Sequence, residues 1–105
     1  MNKGTGFAFA LLLPVLSGCT WVPLTADGAR VQLRTPEQAR ACVPKARVTV
    51  SVKDKIAGIA RNEDKVRGEL ETLARNEAAR SGGDAVAAVS EPTDGSQVFL
   101  IYQCP

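Results

Sequence analysis

Three cysteines, at positions 19, 42 and 104, are the most reactive side chains in this 105-residue chain, and there is no histidine. Those two facts remove most site chemistry. Zinc sites are usually built from four closely spaced Cys and His ligands, a spacing not found here. A cysteine nucleophile needs a base, most often His. Carboxylates remain for acid–base work: Glu63, Asp64, Glu69, Glu71 and Glu77. They fall where the spacing is helical, most of them on its polar side with arginines at pairing distance. Carboxylate oxygens also suit Ca²⁺ or Mg²⁺, but no stretch has the ligand pattern of a calcium loop. The expectation is therefore no catalytic residue, no bound metal and no cofactor. Lys+Arg is 13 and Asp+Glu is 11, a net charge of +2. Phosphate recognition needs a concentrated basic surface, so a nucleic-acid partner is not expected.

The surroundings of Cys19 give it a different chemistry. Lys3 lies in a short polar start, and the ten residues 7–16 (FAFALLLPVL) are almost wholly apolar. That run is too short for a bilayer-spanning helix, which takes about 20 residues, but it suits the apolar part of a secretory signal. Pro14 within it argues further against a helical anchor. Leu16-Ser17-Gly18-Cys19 begins on the last residue of that run and resembles the lipobox of bacterial lipoproteins. The resemblance implies that residues 1–18 are a signal peptide and that Cys19 carries a diacylglyceryl group and, after cleavage, an N-acyl chain. Two or three acyl chains make a stable membrane anchor, whereas one is marginal. Thr20, in place of Asp, implies the outer membrane in lipoproteins of enterobacterial type. The alternative is an ordinary signal peptide and a free Cys19.

With Cys19 lipidated, Cys42 and Cys104 form the one remaining pair. Exported proteins meet oxidising conditions in which disulfides persist. A bridge here would close most of the domain and stabilise it by about 4 kcal/mol on the chain-entropy estimate. Much of the apolar content left after the signal peptide is alanine, so a staple matters more than usual.

The patterning predicts a small α+β domain over residues 29–105, preceded by a tether over residues 19–28. Arg30–Arg34 alternates as a strand with one buried face. Thr35-Pro36-Glu37-Gln38 carries a capping box and a proline suited to the first helical turn, so a short helix is expected before Val43-Pro44 stops it. Arg47–Lys53 alternates cleanly, with Val48, Val50 and Val52 on one face. A loop over Lys53–Arg61 follows. Asn62 caps a long amphipathic helix over Glu63–Arg80, with Val66, Leu70, Leu73, Ala74 and Ala78 forming its apolar stripe. Glu63, Arg67, Glu71 and Arg75 follow at intervals of four on the other side, a spacing for ion pairs. Ser81-Gly82-Gly83 ends the helix. Asp84–Ser90 and Gln97–Cys104 then form a hairpin, the second strand apolar on both faces, as for a central strand. The expected order is β-α-β-α-β-β, one long helix on a sheet of about four strands.

The stretch from Val48 to Cys104 resembles a family of small bacterial lipoproteins called domain of unknown function 4156. The residues that carry this are Val50-Ser51-Val52-Lys53, Asn62-Glu63, Leu73-Ala74-Arg75-Asn76-Glu77-Ala78-Ala79, Gly83-Asp84-Ala85-Val86 and Tyr102-Gln103-Cys104, with Cys19-Thr20-Trp21-Val22 upstream. The helix followed by Gly-Asp-Ala-Val is also similar to the sensor lipoproteins of the Rcs envelope-stress phosphorelay. Those use two disulfides and a long linker, which this chain lacks. The first family implies an architecture and an envelope location.

The expected function is that of a non-catalytic envelope lipoprotein, an interaction or structural module. Envelope-stress sensing and small-ligand or metal binding are the alternatives. Its partners would be the membrane, through the lipid, and an envelope protein. Ile56 and Ile59, either side of Ala57-Gly58 with Lys55 and Arg61 flanking, are the candidate contact residues. The competing expectation is that both side chains cover the core. Trp21 has two readings as well: a membrane-interface anchor, or a side chain folded back on the domain.

Overall fold

The computed structural model describes residues 22–56 and 58–105. Cys19, Trp21, the signal segment and Ala57 lie outside the described residues. Six strands and one α-helix follow in the order β1 (Gln32–Arg34), β2 (Val43–Ser51), β3 (Lys55–Ile56), β4 (Ile59–Ala60), α1 (Glu63–Arg80), β5 (Ala85–Ala88) and β6 (Ser96–Gln103). A 3-10 turn at Gly28–Arg30 precedes β1. The main sheet has the strand order β1-β5-β6-β2, and β3 and β4 form a separate two-stranded hairpin. β1 runs parallel to β5, while β5–β6 and β6–β2 are antiparallel. This is the expected α+β fold, one long helix on a four-stranded sheet.

α1 runs from Glu63 to Arg80, as the periodicity predicts. Its start is fixed by the Asn62 side chain, which accepts the Lys65 N–H at 3.1 Å, and by Glu63 and Asp64 in the first turn, where acidic groups suit the helix dipole. Its end is a Schellman motif. The Gly83 N–H donates to the Ala78 carbonyl at 2.8 Å and that of Gly82 to Ala79 at 3.3 Å, and Gly82 takes φ +79°, which favours glycine.

The sheet is covered on both faces. Against α1, Val66, Leu70, Ala74 and Ala78 pack on Val50, Val86, Phe99 and Ile101, with Leu73 at the margin. On the far face, Ala39 and Cys42 pack on Ala85, Ala87 and Tyr102. The alternation of β6 supplies both cores, because it lies between β5 and β2. Cys42 and Cys104 are joined by a disulfide across the end of β6. Gln97 is buried with Phe99; its Nε2 donates to the Ser90 carbonyl at 2.9 Å.

Four local expectations are corrected. The segment after β1 is a run of turns and not a helix. Its capping box forms in both directions, Gln38 N–H to Thr35 Oγ1 at 3.1 Å and Thr35 N–H to Gln38 Oε1 at 2.9 Å. Too few residues then remain before Val43-Pro44 to repay the cost of helix nucleation, and the chain must bring Cys42 to Cys104. Second, β2 begins at Val43, four residues earlier than the alternation suggests. Pro44 and Lys45 sit at an irregularity in the pairing with β6, which an edge strand tolerates. Third, Val31 is buried but Leu33 is 45% exposed, because β1 is the short outermost strand. Finally, the ion pairs of Arg67 and Arg75 are not with neighbours four residues along α1. Arg67 reaches Glu91 at 3.2 Å, and Arg75 donates to the backbone carbonyls of Val31 and Ala29.

Candidate functional site

The loop expected over Lys53–Arg61 is the β3–β4 hairpin, with Ile56 opposite Ile59. Gly58 has φ +80°, the left-handed conformation that a two-residue hairpin connection requires. Ile56 is 50% exposed and Ile59 73%. Neither side chain covers the core, so the competing expectation for this pair does not hold.

Arg61 fastens the hairpin to the domain. Its N–H donates to the Asp54 carbonyl at 2.8 Å, and its guanidinium donates to the Lys53 carbonyl at 2.8 Å. Two further bonds reach Glu69 on α1, at 3.1 Å to Oε1 and 2.6 Å to Oε2. This is a forked pair, and both side chains are largely shielded from water. The hydrogen bond that Arg61 donates to Glu69, opposed by desolvation and helped by the carboxylate charge, holds the Arg61 pKa above its ordinary value. A raised pKa means the stabilising contribution of Arg61 is fully present at neutral pH and is lost as pH rises through its titration range. Behind the hairpin, the Val52 N–H donates to the Gly95 carbonyl at 2.8 Å. A Cβ on Gly95 would collide with the Val52 carbonyl oxygen, and Gly95 has φ +76°.

The N-terminal segment reaches the same corner. Val22 lines one cavity of about 410 Å³ with Val52, Lys53, Ile56, Arg61, Glu69 and Leu73. From Pro23 onward this segment is tied to α1 through Asn76. The Asn76 Nδ2 donates to the Pro23 carbonyl at 3.0 Å, and its Oδ1 accepts from Thr25 N–H at 2.9 Å and from the Thr25 hydroxyl at 3.1 Å. Thr25 Oγ1 in turn accepts the Gly28 N–H at 2.9 Å. Gly28 is buried against Asn76, and a Cβ there would meet the amide oxygen. Residues 23–28, read from sequence as tether, are thus a strap lying on α1.

A second cavity, of about 340 Å³, lies between the hairpin, the start of α1 and the turn before β6. Asp54, Glu63, Glu91 and Asp94 line it with Arg61 and Arg67. Its charges are of both signs, and Arg67 pairs with Glu91. Among the described residues, no group of three or more His, Cys, Asp or Glu side chains could hold a metal ion. Of the other carboxylates considered for acid–base work, Glu69 is committed to Arg61 and Glu77 is paired with Arg80 at 2.9 Å. No helix among the described residues is long and apolar enough to cross a membrane.

The family model described as Domain of unknown function (DUF4156) matches residues 22–104. The chain belongs to this family. No curated protein and no solved structure matches the chain. The match to DUF4156 includes the N-terminal strap as well as the sheet and helix. The residues that carried the resemblance do structural work. Arg75 and Asn76 hold the strap. Gly83 passes close to β6, where a Cβ would collide with Ile101. Asp84 accepts the Cys104 N–H through its carboxylate at 2.9 Å and the Gln32 N–H through its carbonyl at 3.0 Å. Sequence reasoning missed Glu69 and Asn76 as buried groups. Their partners, Arg61 and the strap, lie off the helix, and helical spacing carries no signal for either.

Proposed function

We propose that this DUF4156 chain is a non-catalytic lipoprotein of the bacterial cell envelope. It is anchored in the outer membrane, facing the periplasm, through lipid on Cys19, and it acts there as an interaction or structural module. The observation that carries the reading is the Leu16-Ser17-Gly18-Cys19 string, placed at the end of a ten-residue apolar run that follows a basic start. Two further features support it. The Cys42–Cys104 bridge suits an oxidising compartment. The strap leaves only three positions, 20–22, between Cys19 and the first residue tied to α1, so an anchor there would hold the domain close to the membrane.

The working part of such a protein is a surface. In the second cavity Asp54, Glu63, Glu91 and Asp94 face two arginines, of which Arg67 pairs with Glu91 and Arg61 engages the shielded carboxylate, Glu69. Expression in a Gram-negative host with a clickable palmitate analogue tests the reading. The mature chain should begin at Cys19, incorporate label, gain the mass of its acyl groups and fractionate with the outer membrane. Cys19→Ser should abolish labelling. A mature chain with an unmodified Cys19 thiol would overturn the anchoring.

A further inference from the structure

The β3–β4 hairpin and the start of the strap occupy one corner of the molecule, and together they point to a second membrane contact. We infer that the hairpin tip, through Ile56 and Ile59, rests in the headgroup region of the phospholipid leaflet in which Cys19 is anchored. This inference rests on the lipid-anchoring reading above.

Three observations carry it. The first is reach. Val22 is three positions after Cys19, and an extended chain spans at most about 3.6 Å per residue, so the acyl chains enter the bilayer within roughly 11 Å of Val22. The second is position. Val22 lines the same cavity as Ile56 and Lys53, so the corner carrying the hairpin is the one held at the bilayer surface. The third is the character of that corner. Ile56 and Ile59 are large apolar side chains left half or more exposed, and Leu24 at the strap is 39% exposed. Lys53 and Lys55 are exposed alongside them, and Lys65 lines the neighbouring cavity with Val22 and Pro23. The acidic residues Asp54, Glu63, Glu91 and Asp94 line the adjoining cavity, which borders the hairpin through Ala60 and shares Arg61 with the Val22 cavity. Apolar tips flanked by long basic side chains match an interfacial phospholipid contact, with the apolar groups among acyl carbons and the ammonium groups at phosphate level. With the chain already held by its acyl groups, such a contact forms at the high local concentration set by a short linker.

The full lipidated protein, reconstituted in phosphatidylethanolamine–phosphatidylglycerol vesicles, tests this. Ile59→Trp is placed in a Trp21→Phe background, with Val43→Trp as its control. Val43 is 64% exposed and sits at the opposite end of β2 from the hairpin. Phospholipids brominated near the headgroup should quench the tryptophan at 59 at least twofold more than the one at 43, with a blue-shifted emission at 59 alone. Equal quenching at both positions in a chain whose mass shows acylated Cys19 would overturn the hairpin contact and leave the anchoring reading intact. A mature chain without acyl groups would overturn both. A photo-crosslinker at position 59 that captures one defined envelope protein in cells, with no lipid quenching at 59, would assign the hairpin to a protein partner and overturn the membrane contact.

Discussion

The two ends of β2 are closed by different physics. At Val43 the strand leaves Cys42, which is bridged to Cys104 and packed with Ala39, Ala85 and Tyr102. At Ser51 the chain leaves the sheet for the hairpin, and what fastens it is polar: the Arg61–Glu69 fork, the Arg61 bond to the Lys53 carbonyl, and Val52 N–H to Gly95. Isoleucine shows the contrast within one residue type. Ile101 is buried between α1 and the sheet, whereas Ile56 and Ile59 stand in solvent. The end with a covalent staple and apolar cover is finished on its own. The end with a polar fastening leaves apolar groups uncovered, and there the molecule has surface to offer.

The largest expected effect tests the closed end. Cys42→Ser with Cys104→Ser should lower unfolding free energy by about 4 kcal/mol, read from urea titrations with and without reductant. A loss below 1 kcal/mol would mean that packing around Ala39 holds this end alone. Second comes the polar fastening. Glu69→Ala leaves the Arg61 guanidinium shielded without its carboxylate, so its melting temperature should fall well below that of Glu91→Ala, whose exposed pair with Arg67 is worth little. Equal shifts would place the hairpin's hold in its backbone bonds. Third is the strap. Asn76→Ala removes three hydrogen bonds to Pro23 and Thr25 and should cost about 1–3 kcal/mol, with faster amide exchange at Thr25 and Gly28. The smallest effect belongs to the hairpin tip. Ile56→Ser with Ile59→Ser should change stability by no more than about 0.5 kcal/mol per site, as for exposed positions generally. A loss of several kcal/mol would show that the tip is structural after all.

α1 was the most legible element. Its cap at Asn62, its apolar stripe and its Gly-Gly exit are all read within eighteen residues and their flanks, and they are short-range signals. The centrality of β6 was legible too, because both its faces are apolar. The same kind of signal misled at Thr35–Cys42. There the capping box formed as read, but capping only starts a helix, and the following proline and the distance to Cys104 decided otherwise. The hairpin was missed for a related reason, since two-residue strands are shorter than the alternation needed to recognise one.

The candidate site was legible only in its exposed half. Ile56 and Ile59 drew attention as apolar residues around a glycine in a basic loop. Whether they covered the core or faced solvent depended on what α1 and the sheet left open. Glu69 and Asn76 read as ordinary polar helix positions. Their partners lie 8 and 51 residues away.

Sequence alone determined the local matters: helix limits, alternating faces and a cysteine pair free to bridge. Tertiary structure decided which polar groups are buried, where the strap lies, and which isoleucines meet water. Those outcomes depend on segments far apart in the chain competing for one helix surface, and hydrogen bonds between them form only once the helix and sheet have packed.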